Sequence, residues 1–472
     1  MTTSPSPELD PRSLAEALSY YQSWLAFRQR YLRLPGVQAA VYAGDEVAMS
    51  RAYGHADVEQ SVSLTPQHLF RIASQSKTFT ATAVFQLVER GVVRLDDTAG
   101  TWVRELAAAG SPLAAATVRE LLSHAAGVYR DSSDGDFWQL WRPFPDRARL
   151  LEIVCAPESA VLPRNKRFKY SNIGFGLLGL IIEAAAGKEY ADVVGSSIIG
   201  PLGLHDTGPE LEQRRAGDYA RGYTALSYAD HRVPIDHVDT GALAPATGAY
   251  ATATDLVTYF SAHFLGDDRL LTDESKRLMQ QALWRTGEDD RHYAHGLGVT
   301  TVGERTMIGH GGGYPGHATY SLADPLGRIV VSVLTNAIDG GPEPLASAGV
   351  RLIDLACGEA RPDDPDDTAT PDLERYTGRF ASLWTVADVV VLGGRLYMIA
   401  PAQEDPTKEP VELEVVSDTE LEITESPGYA SYGERLVYHF DSDGRVRDLR
   451  GPSATTLTPL EDFSLGDEVH LP

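Results

Sequence analysis

Residues 361–371 read Arg361-Pro362-Asp363-Asp364-Pro365-Asp366-Asp367-Thr368-Ala369-Thr370-Pro371. A run this acidic, with three prolines and no large apolar side chain, cannot repay the ordering of its own backbone, so no core passes through it. It breaks a chain of 472 residues, too long for one ordinary domain, into two parts. From Arg361 onward nine basic residues stand against 24 acidic ones, most of the net charge of −25. That tail reads as β throughout: Thr385–Leu392, Arg395–Ile399, Val411–Val416, Leu421–Ile423 and Leu436–Phe440 are rich in β-branched and aromatic residues. Turn signals at Gly393-Gly394, Ser426-Pro427-Gly428 and Asp441-Ser442-Asp443-Gly444 separate them, which predicts a small barrel or sandwich. The expected division is a disordered leader at 1–12, a first domain at 13–360, a linker at 361–371 and a β domain at 372–472.

With 43% hydrophobic and 23% charged residues, the composition is that of a soluble globular protein. No run approaches the roughly 18 apolar residues that span a bilayer; the longest candidate, near Ile173–Ala186, is interrupted by Gly and Glu. The N-terminus has neither a basic segment nor an apolar one, so a secretory signal is not expected and a cytoplasmic location is. The acidic charge argues against nucleic acid and anionic membrane surfaces as partners. Cys155 and Cys357 are expected to be unrelated buried thiols. His292 and His295 belong to no metal-like constellation and read as surface or loop residues; no metal and no cofactor is expected.

Within 13–360 the pattern is mixed. Ser13–Arg33 has apolar residues at helical spacing, and Val37–Tyr42 with Val47–Tyr53 reads as a strand pair around Gly44-Asp45. Phe79–Arg90 and Ile173–Ala186 read as buried helices, and Ile329–Leu334 as a central strand. Strands near both ends with helices between them imply an α+β domain whose sheet is closed by the two chain ends.

Three short motifs carry chemistry. In Ser74-Gln75-Ser76-Lys77 the serine and lysine lie three apart on one helix face, so the amine reaches the hydroxyl. Serine is a poor nucleophile until a base takes its proton, and a desolvated lysine of lowered pKa contributes to that. The apolar run Thr78–Glu89 would bury the lysine end, while the helix start favours a developing anion near the serine. In Tyr170-Ser171-Asn172 a phenol suited to proton transfer and a carboxamide suited to binding a carbonyl point the same way on an extended loop. In His310-Gly311-Gly312-Gly313-Tyr314 the glycines allow close approach of a substrate, and the histidine can hold a proton near neutral pH and bond to the tyrosine or the substrate. No Gly-x-Ser-x-Gly occurs, which counts against an α/β-hydrolase elbow.

Taken in order, Ser-x-x-Lys, Tyr-x-Asn and His-Gly-Gly resemble the penicillin-recognising serine enzymes. The resemblance is to the class C β-lactamase-like branch, which also holds D-aminopeptidases, D,D-carboxypeptidases, esterases and peptide-cyclising thioesterases. It covers nearly all of residues 35–358 and includes Thr117–Val128, Tyr170–Gly187, Pro201–Leu204 and Thr247–Leu256. The tail, with Tyr376-Thr377-Gly378-Arg379-Phe380, resembles the lipocalin-like barrel some members append. The resemblance implies that Ser74 carries the acyl group, Lys77 poises the serine and tyrosine, Tyr170 relays the proton to the leaving group, Asn172 binds the substrate amide and His310 supports Tyr170. It places the oxyanion between the backbone N–H groups of Ser74 and Gly313, with Gly311, Gly312, Tyr314 and Trp138 as substrate contacts. The aromatic segment Tyr129–Pro145 would roof the pocket or pack in the core. Many relatives carry lysine where His310 stands; the departure argues against efficient β-lactam hydrolysis and favours esters, amides or D-aminoacyl substrates.

Three functions fit these residues. The first is a serine hydrolase of small amides or esters, D-amino-acid peptides among them. The second is a peptide-cyclising acyltransferase that releases a peptidyl thioester, with a carrier-bound peptide as partner. The third is a non-catalytic ligand-binding protein, a reading weakened by the presence of all three motifs.

Overall fold

The computed structural model describes residues 9–287, 290–358, 372–426, 432–451 and 454–465. Most of the expected leader, the whole of the expected linker, and Pro427 and Gly428 of one turn lie outside them. The chain divides into two units: Leu32–Ala346, and Glu8–Tyr31 together with Ser347–Pro472. The helix Pro11–Tyr31, which the sequence pattern joined to the first domain, thus groups with the tail.

The first unit is α+β. Nine antiparallel strands form one sheet in the spatial order Val62–Ser63, Glu46–Asp57, Gly36–Ala43, Ile329–Thr335, His317–Asp324, Arg305–Tyr314, Gly298–Val302, His292–Tyr293, Trp284–Arg285. Every residue of Ile329–Thr335 is buried, as an uninterrupted β-branched run requires. Thr335 faces Val37 on one side and Ala318 on the other, so strands from both ends of the unit meet at the sheet centre.

Two buried helices carry the motifs. The helix Ser76–Glu89 buries every residue from Ser76 to Phe85, and Phe79 stacks on Tyr259 with ring centroids 3.9 Å apart. The helix Asn172–Ala186 begins at Ser171, whose hydroxyl accepts from the Gly174 N–H at 2.8 Å, and ends at Gly187 with φ +64°. Asn172 is therefore the first residue of a helix rather than part of an extended loop. A Cβ at Gly179 would lie 2.4 Å from the Pro245 ring, so glycine there lets the segment Ala244–Thr247 close onto the helix.

In the second unit, Gly378–Ala381, Val386–Leu392, Arg395–Ile399, Val411–Ser417, Glu420–Glu425, Arg435–Phe440, Val446–Arg450 and Thr456–Pro459 follow one another around a closed barrel. The first and the last two are short and carry glycine, charged residues or a proline, so they gave no strand signal. Eight strands leave a lumen that side chains fill, and Phe380, Leu413, Ile423, Leu436, Tyr438 and Leu449 fill it. Asp388, 2% exposed, is held by both arms of Arg379 at 2.7 and 2.8 Å and by the Tyr20 hydroxyl at 3.0 Å. Tyr20 comes from the helix Pro11–Tyr31, whose Tyr21, Trp24 and Leu25 are also buried.

Cys155 and Cys357 are half-buried rather than buried. Among the described residues no helix is long and apolar enough to cross a membrane, and no group of three His, Cys, Asp or Glu is placed to hold a metal. His295 is a core residue, not a surface one: its Nδ1 bonds to the Leu278 carbonyl at 3.0 Å.

Candidate active site

Between Arg71 and Phe85 every residue is buried except Ser74. The exception is prepared by the backbone. Ala73 adopts φ +51°, a left-handed conformation that costs an alanine about 1 kcal/mol, and turns the chain through a short 3-10 segment into the helix. The turn is clamped from several sides. His317 Nδ1 accepts from the Arg71 N–H at 2.9 Å, and the Ile72 carbonyl accepts from the Thr319 hydroxyl at 3.2 Å. The Arg71 guanidinium is wholly buried, paired with Glu210 at 2.6 Å and lying 4.6 Å from the Tyr314 ring centroid. Among the described residues no backbone carbonyl accepts from the Ser74 N–H.

The strand Arg305–Tyr314 passes directly over this turn. A Cβ at Gly312 would sit 2.1 Å from the Ile72 carbonyl oxygen, so only glycine permits the contact. Gly311 backs onto the Tyr320 ring, and a Cβ at Gly313 would meet nothing within 4 Å. Pairing with Gly298–Val302 stops at Gly309; from His310 to Tyr314 the strand is paired only with Ser321–His317. One strand edge beside Ser74 therefore stays open among the described residues.

Ser74 Oγ lies 3.2 Å from Lys77 Nζ and 2.9 Å from the Tyr170 hydroxyl. Lys77 Nζ also reaches Asn172 Oδ1 at 2.7 Å and the Ala246 carbonyl at 2.8 Å. Burial drives the Lys77 pKa well below the usual lysine value, with Arg130 adding to the fall and Asp131 opposing it. A neutral amine has two hydrogens and one lone pair. Its hydrogens match the two pure acceptors, Asn172 Oδ1 and Ala246 O, which leaves the lone pair for the Ser74 proton. Burial pushes the Tyr170 phenol the opposite way, upward, so it stays protonated and donates to Ser74 Oγ.

Two expected contacts take a different form. His310 was expected to bond to the tyrosine and to hold a proton near neutrality. Its Nδ1 lies 2.6 Å from the Gly311 carbonyl, which can only accept, so Nδ1 carries the hydrogen. Burial, the largest cause, pushes its pKa down to about 3, so Nε2 is bare and accepts from the Tyr293 hydroxyl at 3.1 Å. Against Tyr170 it makes ring contact only, at 6.4 Å between centroids. Tyr314, expected to touch substrate, is 1% exposed and its hydroxyl is bonded to both backbone groups of Val238.

Asn172 is engaged at both ends, since its Nδ2 donates to Asp131 Oδ1 at 2.6 Å. Trp138, packed between Phe137 and Phe144, donates its indole N–H to the same oxygen at 2.9 Å. Arg130 bonds the other carboxylate oxygen at 3.0 Å, and its guanidinium carbon lies 5.5 Å from the Tyr170 ring centroid. Sequence reasoning assigned Asp131 and Arg130 no role; they fell inside a segment read for its aromatics. It also passed over His124, whose Nδ1 accepts from the Ser171 N–H at 3.1 Å and whose ring lies 4.3 Å from that of Tyr170.

Residues 26–356 match the beta-lactamase family, and the chain belongs to it. Among curated relatives, penicillin-binding protein 4* of Bacillus subtilis is 27% identical over 293 residues, 59% of this chain; the match spans 63% of that relative's length. The octameric penicillin-binding protein homologue from Pyrococcus abyssi shares the fold at 23% identity and a TM-score of 0.65, over 93% of this chain and 99% of its own. The D-amino acid amidase from Ochrobactrum anthropi SV3 complexed with L-phenylalanine amide is 27% identical with a TM-score of 0.58, over 72% of this chain and 97% of its own.

Proposed function

We propose that the protein is a serine hydrolase that cleaves amide or ester bonds of small substrates through an acyl group carried on Ser74. The observation that carries this reading is the half-exposed Ser74 hydroxyl held between the buried Lys77 amine at 3.2 Å and the Tyr170 phenol at 2.9 Å. Lys77 takes the Ser74 proton as Oγ attacks the carbonyl carbon. The oxyanion is met by the backbone N–H groups of Ser74 and Gly313. Tyr170 gives its proton to the leaving group, the resulting phenolate is eased by Arg130 over its ring, and the lysine returns a proton to it. Water then repeats the sequence on the acyl-enzyme. Asn172, with Asp131 behind it, is a positioning residue for Lys77, and His310 with Tyr293 positions the strand edge.

Substrates with a D-amino acid beside the scissile bond are favoured by the likeness to a D-amino acid amidase and by histidine in place of the family's third-motif lysine. The barrel, with its eight strands in simple succession, is consistent with the lipocalin-like kinship. A fluorophosphonate will add one mass to the wild type and none to Ser74→Ala; equal labelling of both removes the nucleophile from this assignment. D- and L-aminoacyl anilides, simple esters and peptidyl thioesters, each with and without an added amine, then separate hydrolysis from acyl transfer. A panel in which cyclised or aminolysed product dominates replaces the hydrolase reading with the acyltransferase one.

A further inference from the structure

The second unit holds a cavity of about 620 Å³ at one mouth of the barrel, a size ordinary for small-ligand sites. Arg30, Arg375, Arg379 and Arg445 line it, with Glu461 the one carboxylate in the lining. This is unexpected in a tail where acidic residues outnumber basic ones by 24 to nine. Other arginines of the unit find acids: Arg351 pairs with Asp405, Arg435 with Glu420 and Arg447 with Asp448. Arg379 is answered by Asp388. Arg30, Arg375 and Arg445 have no carboxylate partner among the described residues. Arg375 is instead laid on aromatic faces, its guanidinium carbon 4.6 Å from the Phe440 ring centroid and 5.5 Å from that of Tyr376, which fixes its plane and leaves its N–H edge open.

Three exposed guanidiniums without a carboxylate partner line one cavity, while carboxylates abound elsewhere in the unit. An anion that accepts from several of them supplies the missing counter-charge, and forked donors suit phosphate and carboxylate oxygens above other anions. We propose that this cavity binds a small molecule bearing two or more phosphate or carboxylate groups. The inference concerns a site in the other unit from Ser74 and stands whether or not Ser74 is a nucleophile.

Calorimetric titration of the full chain with pyrophosphate and, separately, with citrate tests it. At about 150 mM NaCl, where long-range attraction is screened, at least one anion binds one-to-one with a Kd below about 1 mM. The exposed pair Arg30→Gln/Arg445→Gln weakens that binding at least about tenfold, and Arg30→Lys/Arg445→Lys, which keeps charge but not the fork, falls between. Unfolding midpoints of both variants match the wild type, so lost binding is not lost fold. A preference for pyrophosphate assigns phosphate as the ligand chemistry, and a preference for citrate assigns carboxylate. Absence of saturable binding of either anion to the wild type, or equal affinity in the glutamine variant, overturns the proposal.

Discussion

Each unit sets a basic side chain next to a tyrosine hydroxyl and a polar partner, buried Lys77 in one and half-buried Arg379 in the other, and the two clusters are built to opposite ends. In the barrel unit Arg379 meets a carboxylate with both arms, and Tyr20 completes the shell around Asp388. Charge answers charge, and nothing there is left to react. In the first unit Lys77 meets only neutral groups: a hydroxyl, a carboxamide and a carbonyl. Its nearest carboxylate, Asp131, is one residue removed, behind Asn172. Withholding the counter-ion makes the ammonium expensive and the free amine available. Burial alone does not make a site; burial without a paired charge does.

Four substitutions test that contrast, taken in order of expected effect. Lys77→Met slows acylation of Ser74 by about 10³-fold or more, the range of a general base, and leaves the unfolding midpoint unchanged or raised, because an unpaired buried amine is removed. A large loss of stability would instead place Lys77 alongside Arg379 as a structural group. Asp388→Ala leaves the half-buried Arg379 guanidinium and the Tyr20 hydroxyl without their shared acceptor and lowers stability by about 1–3 kcal/mol in denaturant titration, while the labelling rate of Ser74 holds. Asp131→Asn slows acylation by about tenfold by loosening Asn172, and it has a pH signature. Acylation falls as pH drops through the Lys77 pKa; Asp131 favours the ammonium, so its neutralisation moves that limb to lower pH. A limb that stays in place, or moves up, breaks the electrostatic account. His310→Gln changes the rate by less than about tenfold and leaves the shape of the profile above pH 5 intact, because the ring is already neutral there. An inflection near pH 6 that disappears in this variant would show that His310 titrates after all.

The motifs on one helix or one turn were readable because local spacing settles them: Ser74 with Lys77, and Tyr170 with Asn172. The α+β architecture followed from β-branched runs at both ends of the first unit and apolar helices between. What escaped depends on register. His310 finds Tyr293, 17 residues earlier and two strands across the sheet, and no sequence pattern announces that pairing. Asp131 is one acid in a loop whose tryptophan and phenylalanines drew attention, yet two donors from different segments converge on one of its oxygens. Tyr314 shares a motif with the glycines but turns inward to Val238, since alternate residues of a strand face opposite ways. The small barrel was expected, but the strands at its seam were not: Phe380 pairs with Pro459, and Arg450 with Thr456, through strands too short to stand out.

The grouping of Pro11–Tyr31 with the barrel has a consequence for biosynthesis. The helix leaves the ribosome well before Asp388, Arg379 and the strands beside it, which are made more than 300 residues later. At usual elongation rates it waits on the order of tens of seconds with its tryptophan and tyrosines uncovered. Throughout that interval the nascent chain carries an orphaned amphipathic segment. Truncation before Arg379 removes both Arg379 and Asp388 and leaves Tyr20 without its acceptor, a sticky handle for quality-control machinery even when the unit that carries Ser74 is finished.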